Sequence, residues 1–264
     1  MQINAESIVK DIARQIKAWE NLDNSDFDLK QAKFTELLDS LYIKMKLLYN
    51  TAKEDKCFNQ LDDLICKFIE ENGLYIWNTR DSEGNNLSHI CAECELGKAC
   101  KTFSTHIGGS HILACHTKDE RKTTPMHILA QNKNMESVLI DIVINSCDYQ
   151  LLESIDANGD TPLHLAVQSE LNDFLVAAHK NRPAYFKTEN NKQESVYEMI
   201  KQQNVRLRKF LRRLNDEIAD LQCNIYTNNT KEIKRKKQKL AEINAKLQQS
   251  NTLVTKIFYN HEIK

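Results

Sequence analysis

The sequence predicts an all-α protein: a solenoid of short helix pairs, flanked by an N-terminal helical block and a C-terminal antiparallel helical hairpin. Three observations carry that prediction. The 264 residues include only six glycines and three prolines, too few punctuators for a chain rich in tight β-turns. Apolar residues recur at three- and four-residue steps along the flanking segments, the period of a helix with one buried face. A turn, a cap and a short helix return every 34 to 38 residues within positions 76–203.

Residues 1–75 form the N-terminal block. Ile8, Ile12 and Ile16 mark a first helix, with Trp19 close behind. A second, near 28–50, carries Phe34, Leu37, Leu38, Leu41, Met45 and Leu48 at helical spacing. A third, near 54–71, has Phe58, Leu61, Leu64, Ile65 and Phe68, and runs into the linking stretch "NGLYIWNTRDSEGN". Helices two and three are expected to serve as a divergent first unit, because a terminal unit needs an atypical outer face to stay soluble.

Residues 76–203 hold the repeating segment. Its cleanest copy is "DANGDTPLHLAVQSELNDFLVAAHK", residues 156–180. Asn158-Gly159 signals a turn, Thr161 can cap a helix, and Pro162 at the first helical position has no N–H to waste. Leu163, Leu165 and Ala166 open an apolar face, which Leu171, Phe174, Leu175 and Ala178 continue on a second helix. Thirty-seven residues earlier, Thr124, Pro125, Met126 and His127 repeat the plan. A further 38 back, Asp81, Gly84 and His89 hold the corresponding places, with Leu87 at the proline position and Ser88 at the core leucine position. Forward, Asn190-Asn191 offers a turn and Ser195 a cap, without Pro or His.

On these residues the chain resembles the ankyrin-repeat family, whose mark is T-P-L-H-x-A at a period of about 33 residues. Thr161 to Ala166 match throughout, and residues 124–129 match except at Leu129. The resemblance covers two good copies and two degenerate ones. It implies recognition of a protein partner through turn tips and inner helices. The implied tip residues are Thr79, Arg80, Ser82 and Glu83, then Lys118, Asp119, Glu120 and Arg121. Asp156, Ala157 and Asn158 follow, with Glu189 and Asn190 in the last copy; Gln131, Asn132, Gln168 and Ser169 are the inner-helix candidates.

Residues 204–264 read as a basic, coiled-coil-like hairpin. Leu207, Leu211, Leu214, Ile218, Leu221 and Ile225 alternate steps of four and three, a seam of the a/d kind. "YTNNTKE" breaks the seam and offers Thr230 as a cap; Ile233, Leu240, Ile243, Leu247, Val254 and Ile257 resume it. Phe210 is assigned to the apolar stripe. Whether the seam closes within one chain or between two is open, so a monomer or weak dimer is expected. Basic side chains crowd both arms: Arg206, Arg208, Lys209, Arg212 and Arg213 on the first, Lys234, Arg235, Lys236 and Lys237 on the second. They read first as a solvated face and second as a contact for nucleic acid or anionic membrane.

"SHICAECELGKACKTFSTHIGGSHILACH", residues 88–116, gathers four cysteines and four histidines. A structural zinc site needs four converging ligands, usually from paired hooks, and Cys91-x-x-Cys94 with His106-x₄-His111 offers a set. The repeat register claims His89 for the motif histidine and Cys91 for a small buried position, so packing takes precedence over metal. No Gly-rich phosphate loop, HExxH or nucleophile elbow is present. A thiol enzyme is a remote alternative, and no cofactor or metal is expected.

The net charge of −1 hides an asymmetry: residues 201–264 carry fifteen Lys/Arg against six Asp/Glu. The N-terminal segment reads as an amphipathic helix and not as a secretory signal, and no stretch has membrane-spanning length. Scattered cysteines suit a reducing, cytoplasmic setting. The expectation is a non-enzymatic protein-interaction module. A short ankyrin-like stack between Lys-, Asn- and Ile-rich helical blocks also resembles effectors that intracellular bacteria deliver into host cells without a classical signal peptide.

Overall fold

A computed structural model describes residues 4–23, 27–52, 56–76, 79–105, 109–117, 120–146, 150–223 and 230–259. Among these residues the chain is all-helical, with no strand beyond an isolated bridge between Glu189 and Ser195.

The N-terminal block comprises α1 (Ala5–Glu20), α2 (Phe27–Ala52) and α3 (Lys56–Ile76), the last kinked at Asn72. Asn4 caps α1, its side chain accepting from the Ser7 N–H. At the other end Lys30 points back from α2 to the carbonyls of Glu20 and Leu22, where the helix dipole favours a cation. Its ammonium also lies 4.8 Å above the Trp19 ring. Trp19, Phe34 and Phe68 form an aromatic cluster with centroids 5.0 to 5.8 Å apart, joining all three helices.

The central helices are short and paired. α4 (Leu87–Glu93) is followed by α5 (Gly97–Thr105) and the single turn α6 (Gly109–Leu113). α7 (Pro125–Ala130) pairs with α8 (Glu136–Asn145), and α9 (Gln150–Glu153) leads on to α10 (Pro162–Gln168) and α11 (Asn172–Asn181). Two helices close the chain, α12 (Val196–Cys223) and α13 (Thr230–Phe258).

The pairs pack in chain order. α4 lies on α7 and α7 on α10, while α5 lies on α8 and α8 on α11. The ends continue the same order: α2 and α3 pack on α4 and α5, and α12 and α13 pack on α10 and α11. One contiguous apolar core therefore runs from Ala5 to Ile257. Carboxylates stitch the second row. Asp62 of α3 accepts from the Lys98 and Ala99 N–H groups at the start of α5, and Glu136 of α8 does the same for Asp173 and Phe174 of α11.

α12 is continuous across residues 203 and 204, so the division expected there falls inside a helix. Its first turns occupy the place of α10's next neighbour; beyond them it pairs with α13. Leu211, Leu214 and Ile218 are buried in a seam separate from the main core, and Ile233, Leu240, Ile243 and Leu247 are half-buried. Asn204 donates to Ser250 Oγ and Asn251 Oδ1, a buried polar pairing that sets the antiparallel register. The hairpin thus closes within the chain.

Candidate recognition surface

Four turns precede the first helix of successive pairs, and the three at Asp81, Asp156 and Asn190 share one construction. Asp81 Oδ1 accepts from the N–H groups of Glu83 and Asn85 at 3.0 and 2.7 Å. Asp156 Oδ1 does so for Asn158 and Asp160, and Asn190 Oδ1 for Lys192 and Glu194. These are Asx turns, in which a short polar side chain replaces a backbone acceptor. Each turn then needs one left-handed residue: Gly84 (φ 88°), Lys122 (50°), Gly159 (73°) and Gln193 (60°). Adjacent turns are laced by backbone bonds, Ala157 N–H to Arg121 O at 2.9 Å and Asn191 N–H to Asn158 O at 3.1 Å.

Behind each turn stands a helix cap with a second function. In α7 the Thr124 side chain accepts from His127 N–H, while His127 Nδ1 accepts from Thr124 N–H, a reciprocal capping box. Thr161 and His164 repeat it in α10. Asn86 and His89 do so in α4, and Ser195 with Glu198 supplies the version without histidine. With Nδ1 used as an acceptor, Nε2 of His127 donates to Asp160 O at 2.9 Å and that of His164 to Glu194 O at 3.1 Å. Each ring therefore ties its own helix to the next turn. Burial holds both His127 and His164 below the usual histidine pKa, as a neutral acceptor nitrogen requires.

This geometry sorts the expected tip residues. Ser82, Glu83, Glu120, Arg121, Ala157 and Asn158 are exposed along the row of turns. Thr79 is only 3% exposed and forms no part of that surface. Arg80 is half-buried and donates to Gly84 O and His116 O, and Asp156 is committed to its own turn. Ser82 is engaged by Asp39 of α2 through both its N–H and its hydroxyl. Lys118 and Asp119 lie outside the described residues. In the last turn the expected Glu189 is exposed, Asn190 is the buried Asx residue, and Asn191 and Lys192 also face outward. Asn191 and Lys192 were missed; the spacing of Asp81, Asp156 and Asn190 is the signal that could have found them.

The opposite ends of the first helices carry a polar rail. Glu95 and Glu170 take left-handed φ of 56° and 60°, closing α4 and α10 with bonds from Leu96 N–H to Cys91 O and Leu171 N–H to Ala166 O. Glu95 Oε1 accepts from Tyr49 and Asn132. Glu170 is half-buried, which opposes its ionisation, but hydrogen bonds from Lys133 and Lys246 outweigh this and hold its carboxyl below the usual range. Gln131 and Gln168 are exposed, and Ser169 is half-buried. Gln168 lines a groove of about 290 Å³ with Glu194, Met199, Gln202, Gln203 and Arg206.

On the hairpin Arg206, Arg208, Lys209, Arg212, Arg213, Lys234, Arg235 and Lys237 are exposed. Lys236 is half-buried and paired with Glu217 and Glu232. Phe210 departs from its expected place. It is 38% exposed, turned off the seam, with the Lys239 ammonium 5.1 Å above its ring. Leu211 fills the seam instead, and the rotation of about 100° between neighbouring helical residues leaves Phe210 on the flank.

In the Cys/His segment, Cys91, Cys94 and Cys100 are fully covered. Burial pushes Cys91 and Cys100 well above the usual thiol range and Cys94 up to about 12, opposite to an activated nucleophile. His106 lies outside the described residues. Among those described, no three His, Cys, Asp or Glu side chains converge as metal ligands, and no helix is long and apolar enough to cross a membrane.

No protein-family model matches the chain, and no curated protein matches it.

Proposed function

We propose that this chain is a non-enzymatic recognition protein of the ankyrin-repeat type, binding a protein partner along its row of turns and the groove at Gln168. One observation carries the reading: the residues that build each turn repeat in kind, while those that face outward do not. Asp81, Asp156 and Asn190 make the same bonds, and the left-handed site recurs at Gly84, Lys122, Gly159 and Gln193. The exposed pairs between them are Ser82-Glu83, Glu120-Arg121, Ala157-Asn158 and Asn191-Lys192. A constant frame with variable outward chemistry is the economy of a binding surface built from stacked units. The upward displacement of the buried thiols weighs against a cysteine nucleophile.

The likeness to delivered bacterial effectors makes a host-cell protein the first partner class to test. The experiment is affinity enrichment from nuclease-treated eukaryotic lysate, followed by direct binding of the purified candidate. The comparison variant changes Glu83, Glu120, Asn158 and Gln168 to arginine, sites chosen because all four are exposed. Loss of at least about tenfold in affinity with an unchanged thermal melt is expected for a central contact set. Equal binding by the variant would remove the turns from the recognition surface.

A further inference from the structure

The hairpin carries a second surface, which meets the proposed recognition surface only at Arg206, a residue that also lines the groove at Gln168. Arg206, Phe210 and Arg213 stand four and three residues apart on α12, so they share one face. Lys231, Arg235 and Lys239 stand four apart on α13. Lys239 over the Phe210 ring shows that the two rows lie side by side. Lys236 meets Glu217, so Arg235 and Lys231 continue beyond Arg213 toward the far end of the hairpin. The five cations and the ring therefore form a narrow track about 24 Å long, at 1.5 Å per residue.

None of the five cations has a carboxylate within ion-pair distance among the described residues. Of the described acids on these arms, Glu217 and Glu232 hold Lys236 and Glu242 accepts from Gln238, while Asp216, exposed three residues beyond Arg213, lies outside ion-pair distance of the five. Arg206 donates to Gln202 and Lys239 covers the Phe210 ring, but neither contact supplies a counter-charge. A row of like charges costs repulsion that a bound polyanion would relieve. Among the described hairpin residues Leu211, Leu214 and Ile218 fill the seam, and Leu253 and Ile257 join the main core. Val205, half exposed, sits one residue off this row, so the face offers little apolar surface to enter a bilayer. A single exposed aromatic ring amid a line of cations instead fits a strand that offers a phosphate and a flat base at each step.

We propose that this track binds single-stranded nucleic acid, with Arg206, Arg213, Lys231, Arg235 and Lys239 neutralising phosphates and Phe210 stacking on a base. Lys239 leaves the ring face for a flanking phosphate as the base arrives.

The test is fluorescence anisotropy of the full chain, purified through high salt, with a labelled oligothymidylate of about 20 nucleotides. The log of the association constant should fall with log salt at a slope of about −3.5, five contacts at roughly 0.7 each. Arg206→Glu, Arg213→Glu and Arg235→Glu together should weaken binding more than about a hundredfold. Reversal of Lys17, Lys180 and Lys187, exposed cations on other helices, should leave it within about twofold apart from a general charge effect. Phe210→Leu should cost about tenfold and Phe210→Trp should retain binding, because any ring can stack. Thermal melts of each variant guard against unfolding. The proposal is overturned if the track variant binds like the native chain, if the control reversal weakens binding equally, or if Phe210→Leu binds as tightly as native. Capture by phosphatidylserine-rich vesicles with no oligonucleotide binding would likewise overturn it, in favour of a membrane surface.

Discussion

At the scale of single residues, the turns show how one side chain or its absence sets the spacing of neighbouring units. Gly159 holds φ at 73°, and a Cβ there would stand 2.8 Å from the Asn191 N and 2.5 Å from its Oδ1. Both the backbone conformation and the next turn exclude a side chain. Gly159→Ala should therefore lower stability by about 1–2 kcal/mol or more, read as a drop in the urea midpoint at unchanged m-value. Lys122 and Gln193 carry the same left-handed conformation with a side chain, so the frame is not equally tight at every turn. The cysteines of residues 88–116 show the reverse relation. Their number invites a chemical reading, but Cys91, Cys94 and Cys100 act as small buried hydrophobes.

At the scale of helices, the capping boxes couple each helix start to the following turn. A protonated His127 or His164 would lose the Nδ1 acceptor and leave a buried Thr N–H without its partner. Both rings titrate below the ordinary value of 6.5 in the folded chain, so below that pH the unfolded chain binds protons that the fold refuses. Stability is then fully present above about 6.5 and declines as pH falls toward the folded values. Unfolding midpoints measured from pH 7.5 to 5.5 should fall in acid. Conversion of both residues to asparagine should flatten that slope, and an unchanged slope would dissociate the rings from it. Helix positions themselves were legible: Asn158-Gly159 and Thr161-Pro162 punctuate locally, and the structure begins α10 at Pro162. Phe210 was not, because a seam of alternating three and four steps leaves its flanking residues ambiguous by one position.

At the scale of the whole molecule, both flanking blocks belong to the same packing order as the central pairs. Leu253 and Ile257 of α13 are buried, and the Phe258 ring lies 5.2 Å from that of Tyr197. α13 thus covers α11 as α11 covers α8. Removal of residues 204–264 would strip that cover as well as the basic arms. The shortened chain should lose at least about 3 kcal/mol, the burial of two large aliphatic side chains, and its α11 should become the first site of limited proteolysis. An equal melting temperature for the full and shortened chains would mean that the hairpin does not close the core.

The sequence by itself determined where helices start and stop, because caps, turns and period are local properties written within a few residues of one another. Asp81 with Gly84 and Thr161 with His164 specify their bonds without reference to the rest of the chain. Only the tertiary structure decided which residues face outward. Thr79 and Asn190 are covered, Arg80 and Asp156 are spent on the frame, and Asn191, Lys192 and the Phe210 ring are left exposed. The hairpin's closure within one chain and its cover of α11 were decided there too. Exposure depends on what arrives from distant positions, as Leu253 and Ile257 reach α11 from some eighty residues away, and local chemistry carries no record of that.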